Sequence, residues 1–239
     1  PRQNPVLIHQ RHHVGDHASA PGTEKPEPVQ ALDPITVTAM PLPLVKLDLG
    51  FHLSTGRFAA AAVAEGGYIY VIGGGNNQGV ALDDVLRFDP RTGRSEFFAK
   101  LKSPRRNHRA VAYLGKIYVL GGYNGRPMFG DSIFEASMEV IDLATREVSS
   151  APPMPVAKAG FACAISGGKL YVLGGAKVKN NGSIATTNSV EAYDLAKRTW
   201  SNALPMPTPR MGVAVNVEGF IIVPGGVIGR REVADVEVF

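Results

Sequence analysis

The sequence predicts an all-β protein built from four repeats of about 50 residues, and three observations support this class. Gly (27) and Pro (18) are abundant, as expected for a chain with many turns. A run of β-branched or aromatic residues ends in a Gly pair four times, with the first Gly at positions 73, 121, 174 and 225. In three of the repeats a later run ends in an aromatic or aliphatic residue followed by Asp, as in Tyr193-Asp194.

Each repeat contains short apolar runs separated by turn residues. In the second repeat these runs cover 108–114, 116–120, 134–141 and 146–149. Because short apolar runs joined by tight turns form antiparallel strands, each repeat is predicted to be one four-stranded sheet. Four-stranded sheets repeated in series are the blades of a β-propeller.

Three recurring residue types have physical reasons in such a blade. The Gly pair is expected where the chain leaves the second strand, because crowding there favours positive φ without a Cβ clash. Asp after the third strand is expected to hydrogen-bond to its own turn. The aromatic residue of the fourth strand, Trp200 in the third repeat, is expected to pack between neighbouring blades.

Together these features resemble the kelch repeat. The resemblance rests on the double glycine, the aromatic-Asp pair, Trp200 and the Pro-Arg pairs at 104–105 and 209–210, and it covers roughly residues 35–239. It implies a kelch-type β-propeller with four blades visible in this chain. The third repeat is closest to the family pattern, whereas the first two lack the Trp and the fourth carries Pro224 in its second strand.

The chain is expected to comprise a tail and a propeller. Residues 1–33 are rich in Pro and His without a sustained apolar period, so they are predicted to be disordered. The propeller is predicted over 34–239, with blade segments at about 34–56 (a closing strand), 57–103, 104–156, 157–208 and 209–239 (incomplete). Two arrangements stay open: a closed four-blade ring completed by Ile35–Thr38, or part of a ring of five to seven blades, which the kelch resemblance favours.

Composition limits the function classes. The formal net charge of +4 favours an acidic partner and does not point to nucleic acid. A single cysteine, Cys163, excludes intrachain disulfides, and its small apolar neighbours predict a buried, unreactive thiol. No apolar run approaches the ~20 residues of a membrane span. Neither a cofactor-binding motif nor a metal-ligand pattern is predicted, since the four His between His9 and His17 lie in the predicted tail.

The loops that join strands 2 and 3, and those that join one blade to the next, emerge on one face of a propeller. The candidate binding residues on these loops are Arg57, Asn76, Asn77, Arg105, Arg106, His108, Tyr123, Asn124, Arg126, Lys158, Lys177, Lys179, Arg210 and Arg230. Converging guanidinium groups bind carboxylates through paired hydrogen bonds, so the pattern predicts a site for an acidic peptide, a phosphate or a sugar acid. Alternatively, these arginines hold turns or pair with Asp83, Asp84 and Asp131.

Three functions follow from this reading. The preferred hypothesis is a non-catalytic protein-interaction or scaffold module that binds an acidic partner or peptide on the loop face, because no catalytic constellation stands out. The second is a sugar-acid enzyme such as a sialic-acid epimerase or mutarotase; the kelch resemblance admits this class, and Arg105, Arg106 and His108 would support it. The third is a structural subunit of a larger assembly.

Overall fold

The computed structural model describes residues 52–124 and 133–239. The chain divides into two compact units, and the larger comprises Asp48–Glu237 with Phe239. Nineteen strands and no helix occur in the described ranges, so the all-β prediction is confirmed. The predicted tail, the closing strand predicted at 35–38, Arg126 and Asp131 lie outside the described residues.

The first blade is a four-stranded antiparallel sheet in which sequence neighbours are also spatial neighbours. Its strands are β1 (Ala61–Glu65), β2 (Tyr68–Ile72), β3 (Asp84–Asp89) and β4 (Arg94–Lys100). One cross-strand row consists of Ala62, Val71, Leu86 and Phe97, which are paired in register from β1 to β4. A row of aligned partners lies on one face of the sheet, so this face is apolar.

The second and third blades repeat this topology and add a short hairpin after the Gly pair. The second blade holds β5 (Arg109–Tyr113), β6 (Lys116–Leu120), β7 (Tyr123–Asn124), β8 (Ile133–Phe134), β9 (Met138–Asp142) and β10 (Val148–Ala151). The third holds β11 (Ala162–Ser166), β12 (Lys169–Leu173), β13 (Ala176–Val178), β14 (Ile184–Thr186), β15 (Val190–Asp194) and β16 (Thr199–Ala203). The hairpins β7–β8 and β13–β14 are separate two-stranded sheets that the sequence pattern did not predict.

Among the described residues, the fourth blade has three strands. They are β17 (Val215–Val217), β18 (Phe220–Ile228) and β19 (Arg231–Val238), in that order across the sheet. The four-blade β-propeller arrangement predicted from the repeat is therefore confirmed.

Three apolar clusters form the core, and each lies between two successive blades. Between the first and second blades Tyr70 and Ile72 pack with Ile117 and Val119. Between the second and third, Trp200 packs near Tyr193, and its Nε1–H donates a hydrogen bond of 2.9 Å to the Pro152 carbonyl. The third cluster joins the third blade to the fourth and includes Leu173 and Val223. The expectation that Trp200 packs between blades is confirmed.

The Gly pairs lie where the sequence predicted, and Gly122 shows why glycine is needed. Its φ is +87°, and a Cβ there would lie 2.6 Å from the Arg106 carbonyl oxygen and 2.7 Å from the His108 Cβ. A side chain therefore meets both a backbone penalty and a steric clash. Ala59 also has a positive φ, +52°, at the position where the third blade has Gly160 with φ +64°.

The Asp residues after the third strands hold their turns as expected. Asp142 Oδ1 accepts hydrogen bonds from the backbone N–H groups of Ala144 and Thr145. Lys116 donates 2.7 Å to the other oxygen of this carboxylate, and together these donors lower the pKa of Asp142 to about 2. Asp89 and Asp194 accept similar turn hydrogen bonds.

Candidate functional site

Most of the basic side chains predicted for the loop face are directed into their own blades. Arg105 is fully buried, and its Nη2 donates 2.6 Å to Glu139 Oε1. Its Nη1 donates to the carbonyls of Gly121 and Ser137, both at 3.1 Å. The guanidinium therefore ties the turn after β6 to strand β9.

The same arrangement recurs in the next two blades. Buried Lys158 donates 2.5 Å to Glu191 Oε2, and buried Arg210 donates 2.5 Å to Glu237 Oε1. Arg210 also donates to the Gly225 carbonyl, which corresponds to Gly121 in the second blade. Burial lowers the pKa of the Lys158 ammonium, while the hydrogen bond and charge of Glu191 oppose that shift.

The first blade uses a variant of this pair. Leu86 occupies the strand position of Glu139, and Arg57 forms a two-point contact with Asp84 instead, at 3.0 and 2.8 Å. Asp84 was one of the acids proposed for the alternative, turn-holding interpretation, and for Arg57 that pairing is observed.

The prediction that these arginines converge on a ligand is therefore wrong for Arg57, Arg105 and Arg210, and Lys158 is buried in the same way. A carboxylate of the same blade occupies each cation, so none is presented to a partner. The sequence carries a signal for this pairing, since Glu139, Glu191 and Glu237 each stand two residues before the aromatic or aliphatic residue that ends a third apolar run.

Arg106 lies in a stack of aromatic rings. Its guanidinium carbon is 4.9 Å from the centre of the Tyr123 ring and 5.7 Å from that of Phe58, and the residue is almost fully buried. Asn107 Nδ2 donates 2.8 Å to the Tyr123 hydroxyl. Cation–π contact and a hydrogen bond thus hold Tyr123 against its own blade, although part of it reaches solvent.

His108 is fully buried between the first two blades, which corrects its assignment to the loop surface. The His108 ring lies beside Gly73 of the first blade. The Phe161 ring lies at the corresponding place one blade further on, beside Gly121 of the second blade. Burial, together with the charges of Arg105 and Arg109, lowers the pKa of His108 to about 3. Arg109, which was not among the predicted binding residues, donates a hydrogen bond of 2.9 Å to the Gly212 carbonyl and so links the second blade to the fourth.

Two of the predicted asparagines, Asn76 and Asn124, make hydrogen bonds within their own loops. Asn76 Oδ1 accepts hydrogen bonds from the backbone N–H groups of Gln78 and Val80, and Asn124 donates 2.8 Å to Glu135. Asn77 is exposed, and so is Arg230 in the turn between β18 and β19.

The β13–β14 hairpin carries two of the predicted basic residues, Lys177 and Lys179, beside an open concavity with a volume of about 590 Å³. This concavity, the hairpin surface, is lined by Val156, Lys177, Val178, Lys179, Asn180 and Asn181. Val178 is paired in register with Ile184, and both are exposed. In the described part of the chain, neither lysine side chain makes an ion pair or hydrogen bond, so both positive charges are available.

The tip of this hairpin is well ordered by its own hydrogen bonds. Lys179 donates its backbone N–H to the Ser183 carbonyl at 2.8 Å, and Gly182 donates to the Lys179 carbonyl at 2.9 Å. Asn181 Oδ1 accepts from both the backbone and the hydroxyl of Ser183. The surface therefore offers two cations and two aliphatic side chains on a preformed turn, which reduces the entropy cost of binding.

Metal and thiol chemistry find no support in the described ranges. No group of three or more His, Cys, Asp or Glu side chains lies close enough there to hold a metal ion. Burial raises the pKa of the Cys163 thiol to about 12, which agrees with the predicted unreactive cysteine. Among the residues described, no helix is long and apolar enough to span a membrane.

Comparison with known proteins identifies the repeat independently. The family model described as the KLHDC2/KLHL20/DRC7 Kelch-repeats domain matches residues 59–239. Alpha-scruin of Limulus polyphemus is 30% identical over 181 residues, which cover 71% of this chain and 19% of the relative. The Kelch-like protein terF of Aspergillus terreus is 30% identical over 176 residues, covering 70% of this chain and 37% of that protein. Kelch-like protein 35 of Mus musculus is 29% identical over 175 residues, covering 73% of this chain and 28% of that protein.

The chain thus spans well under half the length of these relatives, so the match concerns the repeat region and not their full architectures.

Proposed function

The chain belongs to the kelch-repeat family, and on that premise we propose that it is a non-catalytic interaction module that holds an acidic segment of a partner protein on the hairpin surface. The observation that carries the proposal is that Lys177 and Lys179, beside the aliphatic side chains of Val156 and Val178, form no ion pair with any residue of 52–124 or 133–239. Four other basic residues predicted for the loop face, Arg57, Arg105, Lys158 and Arg210, are each paired with an acid of their own blade.

The chemistry of the surface defines the segment that it suits. Each lysine ammonium attracts a carboxylate, and the exposed Val178 and Ile184 add apolar area on the same hairpin. In an extended peptide that alternates Glu with Leu, the Glu side chains share one face and can reach both lysines, while the Leu side chains lie on the other face. Asn180 and Asn181 add amide groups at the rim.

The proposal is tested with a labelled peptide of alternating Glu and Leu, measured by fluorescence anisotropy against the full chain. Replacing the half-buried Lys177 and the exposed Lys179 by anions removes two weak ion pairs with the peptide and adds repulsion, so K177E/K179E should weaken binding by about tenfold. The matched control is K169E/K197E, which makes the same charge change on two exposed lysines away from the hairpin surface. Lys169 is the first residue of β12, and Lys197 lies in the turn between β15 and β16.

The salt dependence separates ionic binding from apolar adsorption. Affinity of the unmodified chain should fall as salt increases and the lysine charges are screened. Equal affinities for K177E/K179E and K169E/K197E, or an affinity independent of salt, would refute this location for the site.

The sugar-acid enzyme is not proposed, because its support was the joint presentation of Arg105, Arg106 and His108. Arg105 and His108 are fully buried, and Arg105 is bound to Glu139.

A further inference from the structure

Asn181 and Gly182 lie at the tip of the β13–β14 hairpin, and the turn requires glycine directly after the asparagine. The Gly182 N–H donates 2.9 Å to the Lys179 carbonyl, which closes a turn with Asn180 and Asn181 at its centre. Gly182 follows with a φ of +80°, in the left-handed region that glycine adopts without strain. A Cβ on Gly182 would meet no atom within 4 Å among the described residues beyond its chain neighbours, so this peptide is open to solvent.

The Asn181 side chain is folded back over the same peptide. Its Oδ1 accepts hydrogen bonds from the Ser183 backbone N–H at 3.1 Å and from the Ser183 hydroxyl at 2.7 Å. A side chain that bonds to the backbone two residues ahead carries its Cγ toward the intervening Gly182 nitrogen. Both donors also draw electron density from the side-chain carbonyl, which makes Cγ more open to nucleophilic attack.

We propose that Asn181–Gly182 is a site of spontaneous deamidation, and that the reaction adds a negative charge to the hairpin surface. The Gly182 nitrogen attacks Asn181 Cγ, so a new C–N bond forms and the bond from Cγ to Nδ2 breaks. Nδ2 leaves as ammonia with the proton that the Gly182 nitrogen loses. Water then opens the five-membered cyclic imide at either of its carbonyls, which leaves aspartate or isoaspartate at position 181. Water is the only other reactant.

Local opening of the hairpin permits the attack, because the Gly182 nitrogen must first leave the Lys179 carbonyl. The hairpin is a separate two-stranded sheet with three residues in each strand. Such a sheet is only marginally stable in water, so its turn can open while the blade stays folded. Asn124 also precedes a glycine, but it is half-buried and its Nδ2 donates 2.8 Å to Glu135. Asn181 should therefore convert first.

The new charge matters for binding, and this step rests on the proposed function. Asn181 lines the hairpin surface together with Lys177 and Lys179. Either product replaces a neutral amide there by a carboxylate, which offsets part of the positive charge of the two lysines. An acidic segment should therefore bind the converted chain more weakly than the unconverted chain.

Peptide mapping by mass spectrometry, after incubation of the full chain in buffer, tests the chemistry. Conversion raises the mass of the peptide by about 1 Da, and fragmentation assigns the change to one asparagine. Asn180 is the internal control, because it is exposed in the same turn but is followed by a residue with a side chain. Asn181 should convert about tenfold faster than Asn180, since glycine leaves its nitrogen unhindered. Equal rates at the two asparagines, or no conversion at Asn181, would overturn the proposal.

The pH dependence identifies the nucleophile. Because the attack needs the Gly182 nitrogen without its proton, conversion should be severalfold faster at about pH 8 than at about pH 6. A rate that does not rise with pH would contradict attack by this nitrogen.

The labelled peptide of alternating Glu and Leu then measures the effect on binding. N181D should weaken its binding by about threefold, because one anion is added beside two lysines. The matched control is N202D, which adds the same charge at an exposed position of β16 in the same blade and should bind like the unmodified chain. Equal affinities of N181D and N202D would overturn the effect on binding. If the peptide does not bind the unmodified chain, the hairpin surface fails as its site, while the mapping still decides the deamidation.

Discussion

The buried imidazole of His108 should make this protein sensitive to mild acid. The ring is fully buried, and neither nitrogen has a well-formed hydrogen bond among the described residues. The Ile72 backbone favours the protonated form, but burial and the positive charges of Arg105 and Arg109 outweigh it and hold the pKa near 3. The folded protein therefore keeps His108 neutral at a pH where the unfolded chain protonates it.

The magnitude follows from the two pKa values. An imidazole with an ordinary pKa of 6.5 in the unfolded chain and about 3 in the folded protein lowers the free energy of unfolding by about 2 kcal/mol between pH 7 and pH 5. The stability is fully present above pH 6.5 and is lost progressively as the pH falls toward 3. Carboxyl groups titrate near pH 4 in an unfolded chain, so the window from pH 7 to 5 reports mainly on histidine.

The assay is urea unfolding at pH 7 and pH 5 of three proteins: the unmodified chain, H108F and H52Q. Phe161 shows that a benzyl ring fits the corresponding site beside Gly121, so H108F should fold and should abolish the loss at pH 5. It should also gain about 1 kcal/mol at pH 7, because an unsatisfied buried polar group is removed. His52 is exposed, so H52Q should behave like the unmodified protein. An equal acid sensitivity of H108F and the unmodified chain would refute the reasoning.

Three further predictions concern stability and are measured by urea unfolding at pH 7. E139A should lower the free energy of unfolding by about 3 to 5 kcal/mol, because it leaves the buried Arg105 charge without its carboxylate; a loss below 1 kcal/mol would contradict this. A59G should raise it by about 0.5 to 1 kcal/mol, because glycine relieves the left-handed φ of +52°, whereas A62G on β1 should lower it. W200F should cost about 1 kcal/mol through loss of the hydrogen bond to the carbonyl of residue 152, and an unchanged stability would show that this bond contributes nothing.

The regular parts of the fold could be predicted from the sequence because they depend on local patterns. A Gly pair with positive φ is needed wherever β2, β6 or β12 ends against the next blade, and its period is visible in the sequence. The turn-holding Asp and the interblade Trp200 follow from the same repeat.

The direction of the basic side chains could not be predicted in the same way. Whether Arg105 faces a ligand or the blade depends on Glu139, which lies 34 residues away and reaches it only once β9 is in place. The β13–β14 hairpin was missed because its strands are three residues long and mix Lys with Val and Ile, so they have no clear alternation. As a result, Lys177 and Lys179 remain candidates, while Arg57, Lys158 and Arg210 do not.

The pairing of three buried cations with acids of their own blades has a mechanical consequence. Both partners of each pair belong to one blade, so they leave or stay together when a blade detaches. The pairs are Arg105–Glu139, Lys158–Glu191 and Arg210–Glu237, and those in the remaining blades stay compensated. A chain pulled from its ends can therefore lengthen in discrete steps of about 50 residues, or roughly 170 Å of extended chain each. These three ion pairs stay whole in each intermediate of such an extension, so detaching one blade leaves none of their six charges unpaired in an apolar interior.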